Sequence, residues 1–255
     1  MRIVWITLLI PFVLAASDVP GVVPLPVEKP EQTAAEDAPS REKAVDKKDT
    51  AKEQTAPEPS EPVDPPPPAP DEAALAACEA QLKALGTVFK RQDAVDGPGI
   101  CGLPASYSVD EIVRGISVAP TTQMRCRTVL ATARWIDEVV IPAAKVLGDD
   151  VRLTGIRQAS TYVCRTRNSQ PGAKISEHAR GNAVDVRQFE FDGHDPMPIQ
   201  PQQRKGSPEE AFQKAVRAGA CLHFTTVLGP GSDAFHDDHL HMDLAQRRSG
   251  YRLCQ

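Results

Sequence analysis

Ser176-Glu177-His178-Ala179-Arg180-Gly181-Asn182-Ala183-Val184-Asp185-Val186 is where the chain stops turning and begins to alternate. From Ala183 the pattern is that of a strand, on which successive side chains point to opposite sides. Val184 and Val186 take one side, Ala183 and Asp185 the other. A second block, His236-Asp237-Asp238-His239-Leu240-His241, leads into a last strand over His239–Leu244. There His239 and His241 share a side, while Leu240, Met242 and Leu244 face the core. Two such strands side by side present Asp185 and His241 together. His178 joins them from the turn before Gly181, and the small Gly181 and Ala183 leave room for a metal and a substrate. Zinc in hydrolases is held by three ligands drawn from His, Asp or Glu, with one position left for water. A His, a remote Asp and one His of an H-x-H pair meet that need.

Working outward, the elements around these blocks decide the fold class. Leu75, Cys78, Leu82 and Leu85 recur at helical spacing over Asp71–Leu85, with Gly86 to close the end. The segment from there to Pro120 reads as loops and short strands. A second helix is expected from Thr121 or Thr122 to about Leu147, kinked at Pro142, with Trp135 in the core. Val151–Arg165 reads as a strand. Asp192-Gly193 is a turn that folds the strand after Ala183 back as a hairpin. A third helix starts at Ser207, with Pro208 at its first position and Glu210 completing a capping box, and ends at Gly219. Phe224–Leu228 is a further strand. Helices first, then strands broken by one helix, favour an α+β domain over a parallel βαβ array. The expected fold is a small, mostly antiparallel sheet with helices packed on one face.

The remainder of the chain bounds the context. Met1-Arg2, the apolar run Ile3–Leu14 and Ala15-Ala16-Ser17 have the order of a secretory signal, assigned to 1–16. The run is shorter than the ~20 residues that span a bilayer, so no stable membrane span is expected once the signal is removed. Residues 17–70 are rich in Pro, Glu, Ala and Lys, cannot bury enough surface to order, and read as a linker. The domain is placed at 71–255. Its 22 Lys+Arg against 22 Asp+Glu leave it formally neutral, so the net charge of −5 comes from the acidic linker, slightly offset by Arg2. No basic face stands out, which argues against nucleic acid as partner. Six cysteines, Cys78, Cys101, Cys126, Cys164, Cys221 and Cys254, lie beyond the linker without a C-x-x-C pair. In an exported chain they imply up to three disulfides, whose pairing the sequence leaves open among 15 connectivities.

The motif S-x-H-x-x-G-x-A-x-D followed by H-x-H resembles the zinc peptidases that include lysostaphin, the D-Ala-D-Ala carboxypeptidases and the murein endopeptidases. The wider context (Ser160-Thr161-Tyr162-Val163-Cys164-Arg165, SEHARGNAVDV, VLGPG and HDDHLHMDL) resembles the bacterial extensin-like C-terminal domain. This resemblance implies a Hedgehog/DD-peptidase-like fold with His178, Asp185 and His241 as ligands to Zn2+. It makes His239 the catalytic group beside the water, His236 a histidine that shares that work, and Arg165 a substrate-binding or carbonyl-polarising group. Tyr162 and Asn168 are further pocket candidates. The carboxypeptidases carry a general-base Glu where this chain has Asp238, which strand parity aims away from the metal. Asp237 and Asp243 are read as orienting imidazoles or facing solvent, His194 and His223 as solvated surface groups. The implied activity is a zinc metallopeptidase acting on peptidoglycan stem peptides, as a D,D-endopeptidase, in the periplasm or outside the cell. The rival is a non-catalytic zinc-containing cell-wall-binding or structural protein. Oligomeric state is not legible.

Overall fold

The structure is a computed structural model, and it describes residues 69–255 except Gln202 and Arg248. The signal assigned to 1–16 and nearly all of the 17–70 linker lie outside the described residues. Among the described residues there are eleven strands: β1 Val88–Gln92, β2 Val95–Asp96, β3 Gly102–Leu103, β4 Ser106–Val113, β5 Ile116–Ala119, β6 Arg152–Ser160, β7 Ala183–Asp192, β8 Met197–Pro198, β9 Thr226–Leu228, β10 Leu240–Asp243 and β11 Leu253–Cys254. All but β2 and β3 form one sheet in the order β1-β4-β5-β6-β7-β10-β9-β11, with β8 also on β7. Most pairs are antiparallel, but β5 with β6 and β11 with β9 run parallel. The α+β class is as expected; the sheet is larger than expected and mixed. Its extra strands come from residues 88–119, read in sequence as loops and short pieces. Short strands were expected there; the structure joins β1, β4 and β5 into the main sheet and makes β4 eight residues long.

Helix α1, Glu72–Ala84, starts where Asp71 accepts hydrogen bonds from the backbone of Ala73 and Ala74. The second helix begins later than its periodicity suggests. Met124 first pairs its backbone with Tyr107, and Thr122 is buried with its hydroxyl donating to the Tyr107 carbonyl. The helix α2 therefore spans Cys126–Trp135. It continues through a wide turn, Ile136–Val140, into α3, Ile141–Ala144, and a tight turn at Lys145–Leu147. Pro142 has no N–H, and its ring crowds the carbonyl four residues before it. The chain accommodates this upstream, where the Ile141 N–H reaches back to the Ile136 carbonyl.

Helix α4, Pro208–Ala220, is N-capped by Ser207, whose hydroxyl accepts from the Glu210 N–H. The Glu210 carboxylate closes the box on the backbone of Lys205 and Gly206, one turn residue earlier than the usual partner. Gly219 does not end this helix. It lies within it, and a Cβ there would sit 2.4 Å from Val139 Cγ1. Absence of a side chain lets α4 approach the wide turn before Pro142. Gly219→Ala should therefore cost about 1–3 kcal/mol of stability through overpacking, read as a lower urea midpoint. Val139→Ala in the same chain should recover most of it.

The core lies between the helices and one face of the sheet. Trp135, Phe189 and Phe212 are fully buried, with Trp135 and Phe189 centroids 6.0 Å apart and Phe189 edge-on to Phe212 at 5.1 Å. Such aromatic pairs add about 0.5–1.5 kcal/mol beyond area burial. The Trp135 indole donates to the Val216 carbonyl and fixes α2 against α4. Simple alternation along β7 would place Val186 and Phe189 on opposite faces, yet both are buried in this core. A bulge resolves the conflict: Arg157 pairs with Gln188 while the next residue, Gln158, pairs with Val186. The bulge returns Phe189 to the face that Val184 and Val186 share, so β7 lines the core along its length while Asp185 projects from the other face.

Three disulfides, Cys78–Cys126, Cys101–Cys164 and Cys221–Cys254, use all six cysteines. By loop closure each contributes roughly 4 kcal/mol. Cys101–Cys164 ties the segment after β6 to the loop before β3. Cys221–Cys254 ties the end of α4 to the terminal strand β11, which sequence reading missed.

Candidate metal centre

Asp185 on β7 and His241 on β10 are directly paired across neighbouring strands. Leu240 and Met242 alternate into the core, so His241 projects to the open face. The strand is one residue shorter at each end than expected, and His239 sits in the loop leading into it. His178 comes from a tight turn, Glu177–Arg180, whose start is capped by Ser176. Gly181 closes that turn in the left-handed region at φ 63°, and a Cβ on it would lie 2.6 Å from Leu103 Cδ2. Both the backbone shape and the space demand glycine.

The turn brings His178 Nε2 to 3.1 Å from Asp185 Oδ1 and 3.1 Å from His241 Nδ1, and the latter two atoms are 2.9 Å apart. These residues form a group able to hold a metal ion. Hydrogen bonding on the far side of each ring assigns the tautomers. His178 Nδ1 lies 2.6 Å from the Thr161 carbonyl, which can only accept, so the proton is on Nδ1. His241 Nε2 donates to Asp243 Oδ2 at 3.2 Å. Each neutral ring therefore turns a lone pair inward, toward a carboxylate oxygen that also only accepts. Three acceptors about 3 Å apart need a positive charge among them, which a proton on one ring or a bound cation would supply.

In this structure a proton can play that part. Burial resists protonation of His241, but hydrogen bonds and charge from Asp185 and Asp243 prevail and raise its pKa to about 9. Burial likewise opposes ionisation of Asp185, yet His178 and His241 hold its carboxyl well below the usual range. His178 is fully buried and Asp185 only 4 % exposed, so this charge balance is settled out of bulk water.

The triad lies in a cleft of about 360 Å³, whose walls also hold His236, His239, Arg165 and Asn168. His239 Nδ1 donates to Asp238 Oδ1 at 2.9 Å, which leaves Nε2 free and 3.8 Å from Asp185 Oδ1. Asp238 itself is almost fully exposed and does not line the cleft. His236 is buried and donates through Nδ1 to Asp233 Oδ1 at 2.7 Å, with its ring 5.2 Å from that of His239. Arg165 follows directly on the Cys101–Cys164 bridge. Tyr162 is not on the cleft wall; its hydroxyl points to the space beside Gly97.

Neither histidine read as a solvated surface group is fully exposed: His194 is half-buried near Glu209, and the His223 side chain is only 9 % exposed, with burial pushing its pKa down. Sequence reading also missed Asp233, Phe235, Thr226 and Arg247, which line the same cleft. The Asp233–His236 spacing of three residues is a signal that was available. Thr226 offered none, because its place depends on β9 lying next to β10.

A family model described as "Extensin-like protein C-terminus" matches residues 76–255. No curated protein and no solved structure matches the chain.

Proposed function

The chain belongs to the extensin-like protein C-terminus family, and from that premise we propose that its cleft is the active centre of a zinc-dependent peptidoglycan hydrolase. The observation that carries this reading is the convergence of three lone-pair atoms at 2.9–3.1 Å beside an imidazole with a free nitrogen. A tetrahedral zinc with ligand distances of about 2.0–2.1 Å has edges of about 3.3 Å, close to these separations. The Thr161 carbonyl and Asp243 carboxylate behind the two rings are the supports that ligand histidines characteristically have. His178, Asp185 and His241 would hold the ion. The likeness of both motifs to the lysostaphin, carboxypeptidase and murein endopeptidase group supports the same assignment and a Hedgehog/DD-peptidase-like fold.

Zinc in such a site supplies a Lewis acid that polarises a carbonyl and makes water acidic near neutrality. The chain's own residues do the rest. His239 Nε2 takes a proton from the attacking water and returns it to the amine that leaves as the C–N bond breaks. Asp238 holds His239 in the tautomer that makes this feasible. Arg165 stabilises charge on the oxygen of the addition intermediate, and His236, whose Nδ1–H is held by Asp233, shares the proton-accepting work through its other ring nitrogen. The substrate is the stem peptide of peptidoglycan, cut at D,D-cross-links. Three disulfides accord with an oxidising compartment, the periplasm or the exterior.

Purified full-length protein incubated with intact peptidoglycan tests the reading. Release of cross-link fragments should stop with a chelator and return when zinc is restored. A full zinc site with no fragment release would favour a zinc-bearing wall-binding module instead.

A further inference from the structure

Behind the metal turn, three arginines meet without enough acid to balance them. Arg125 precedes α2, Arg127 lies in its first turn, and Arg180 is in the turn that carries His178. One backbone and two side-chain hydrogen bonds hold the start of α2 against the residues after Arg180: the Arg125 N–H donates to the Gly181 carbonyl, and Arg127 donates through Nε and Nη2 to Asn182 Oδ1. The nearby carboxylate, Glu177, is already engaged by the Asn182 amide at 2.8 Å. No acidic residue stands in the first turn of α2. The Nε atoms of Arg125 and Arg180 are both buried and have no hydrogen-bond partner among the described residues. A buried guanidinium donor left unpaired is costly. Burial and then the charges of Arg127 and Arg180 push the Arg125 pKa down, against the pull of Glu177.

Arg125 and Arg127 also border a groove of about 370 Å³ with an apolar floor that includes Leu75, Pro104 and Ala105. Asp71 lies on that groove as well, but its carboxylate is occupied in capping α1. We propose that this cluster is an anion site, separate from the metal cleft, that binds a carboxylate or phosphate oxyanion carried on a short apolar group. The oxyanion meets Arg125 and Arg180 through charge-assisted hydrogen bonds, and the apolar part lies in the groove.

The test titrates inorganic phosphate and butyrate into the full chain, with chloride holding ionic strength constant and a chelator present throughout. Saturable binding by calorimetry is expected for wild type. Arg125→Gln and Arg180→Gln should each weaken it at least tenfold, and Arg125→Lys should recover part of the loss. Arg152→Gln, which removes an exposed partner of Asp192, should bind as wild type does. Tighter binding of butyrate than of acetate would place the apolar part in the groove. The proposal is overturned if wild type shows no saturable binding once metal is chelated. It is equally overturned if both glutamine variants bind as wild type does, or if butyrate and acetate bind alike.

Discussion

His239→Ala is expected to keep its full zinc content and to lose about 10²–10⁴-fold in turnover, the usual worth of a positioned acid–base group. The expectation rests on where the ring sits. It faces the triad at 3.8 Å through Nε2 without joining it, and its other nitrogen is committed to Asp238. Asp238→Asn should cost far less, below about tenfold, because its side chain is 91 % exposed and water screens and replaces the contact. Metal analysis alongside a cross-link cleavage assay on both variants decides the matter. Full activity in His239→Ala, with activity abolished in Asp238→Asn, would transfer the base to the carboxylate. Loss of zinc in His239→Ala would make that histidine a ligand.

The second large effect is on the metal itself. His241→Ala and His178→Ala should each leave the purified protein with less than about a tenth of the wild-type zinc, and no measurable turnover. Removing either donor leaves two ligands, below the three protein ligands that zinc sites in hydrolases have. His178→Ala also strands the Thr161 carbonyl that the ring now satisfies at 2.6 Å, so a fall in stability of about 1–3 kcal/mol is expected there as well. His241→Ala leaves that contact alone and is the cleaner variant. Full zinc occupancy in His241→Ala would remove this residue from the ligand set and, with it, the proposed site.

Much of this site was legible before any coordinates. Alternation placed Asp185 opposite Val184 and Val186, and His241 opposite Leu240 and Met242. The period of a strand is two, and nothing else is needed to sort those faces. The Ser207 cap and Pro208 start of α4 were readable for a similar reason: capping is a matter of neighbouring residues. The α+β class followed from the order of elements.

What the sequence left open was whatever depends on partners distant along the chain. The pairing of six cysteines needed the fold, since Cys78 meets Cys126 only because α1 packs against α2. The eight-residue strand β4 was obscured by turn residues around it, and it exists through its ladders to β1 and β5. Gly219 looked like a helix end because glycine often is one; only the approach of Val139 shows that it is a packing position. The same holds at the candidate metal centre. The sequence supplied the three donors, but the proton positions that turn their lone pairs toward one point come from Thr161 and Asp243. Those two contacts are set by the turn after β6, which holds Thr161, and by the last residue of β10, Asp243. Local pattern therefore determined which residues could hold a cation, while tertiary structure decided that their lone pairs converge, because tautomers are fixed by hydrogen bonds that no one-dimensional spacing encodes.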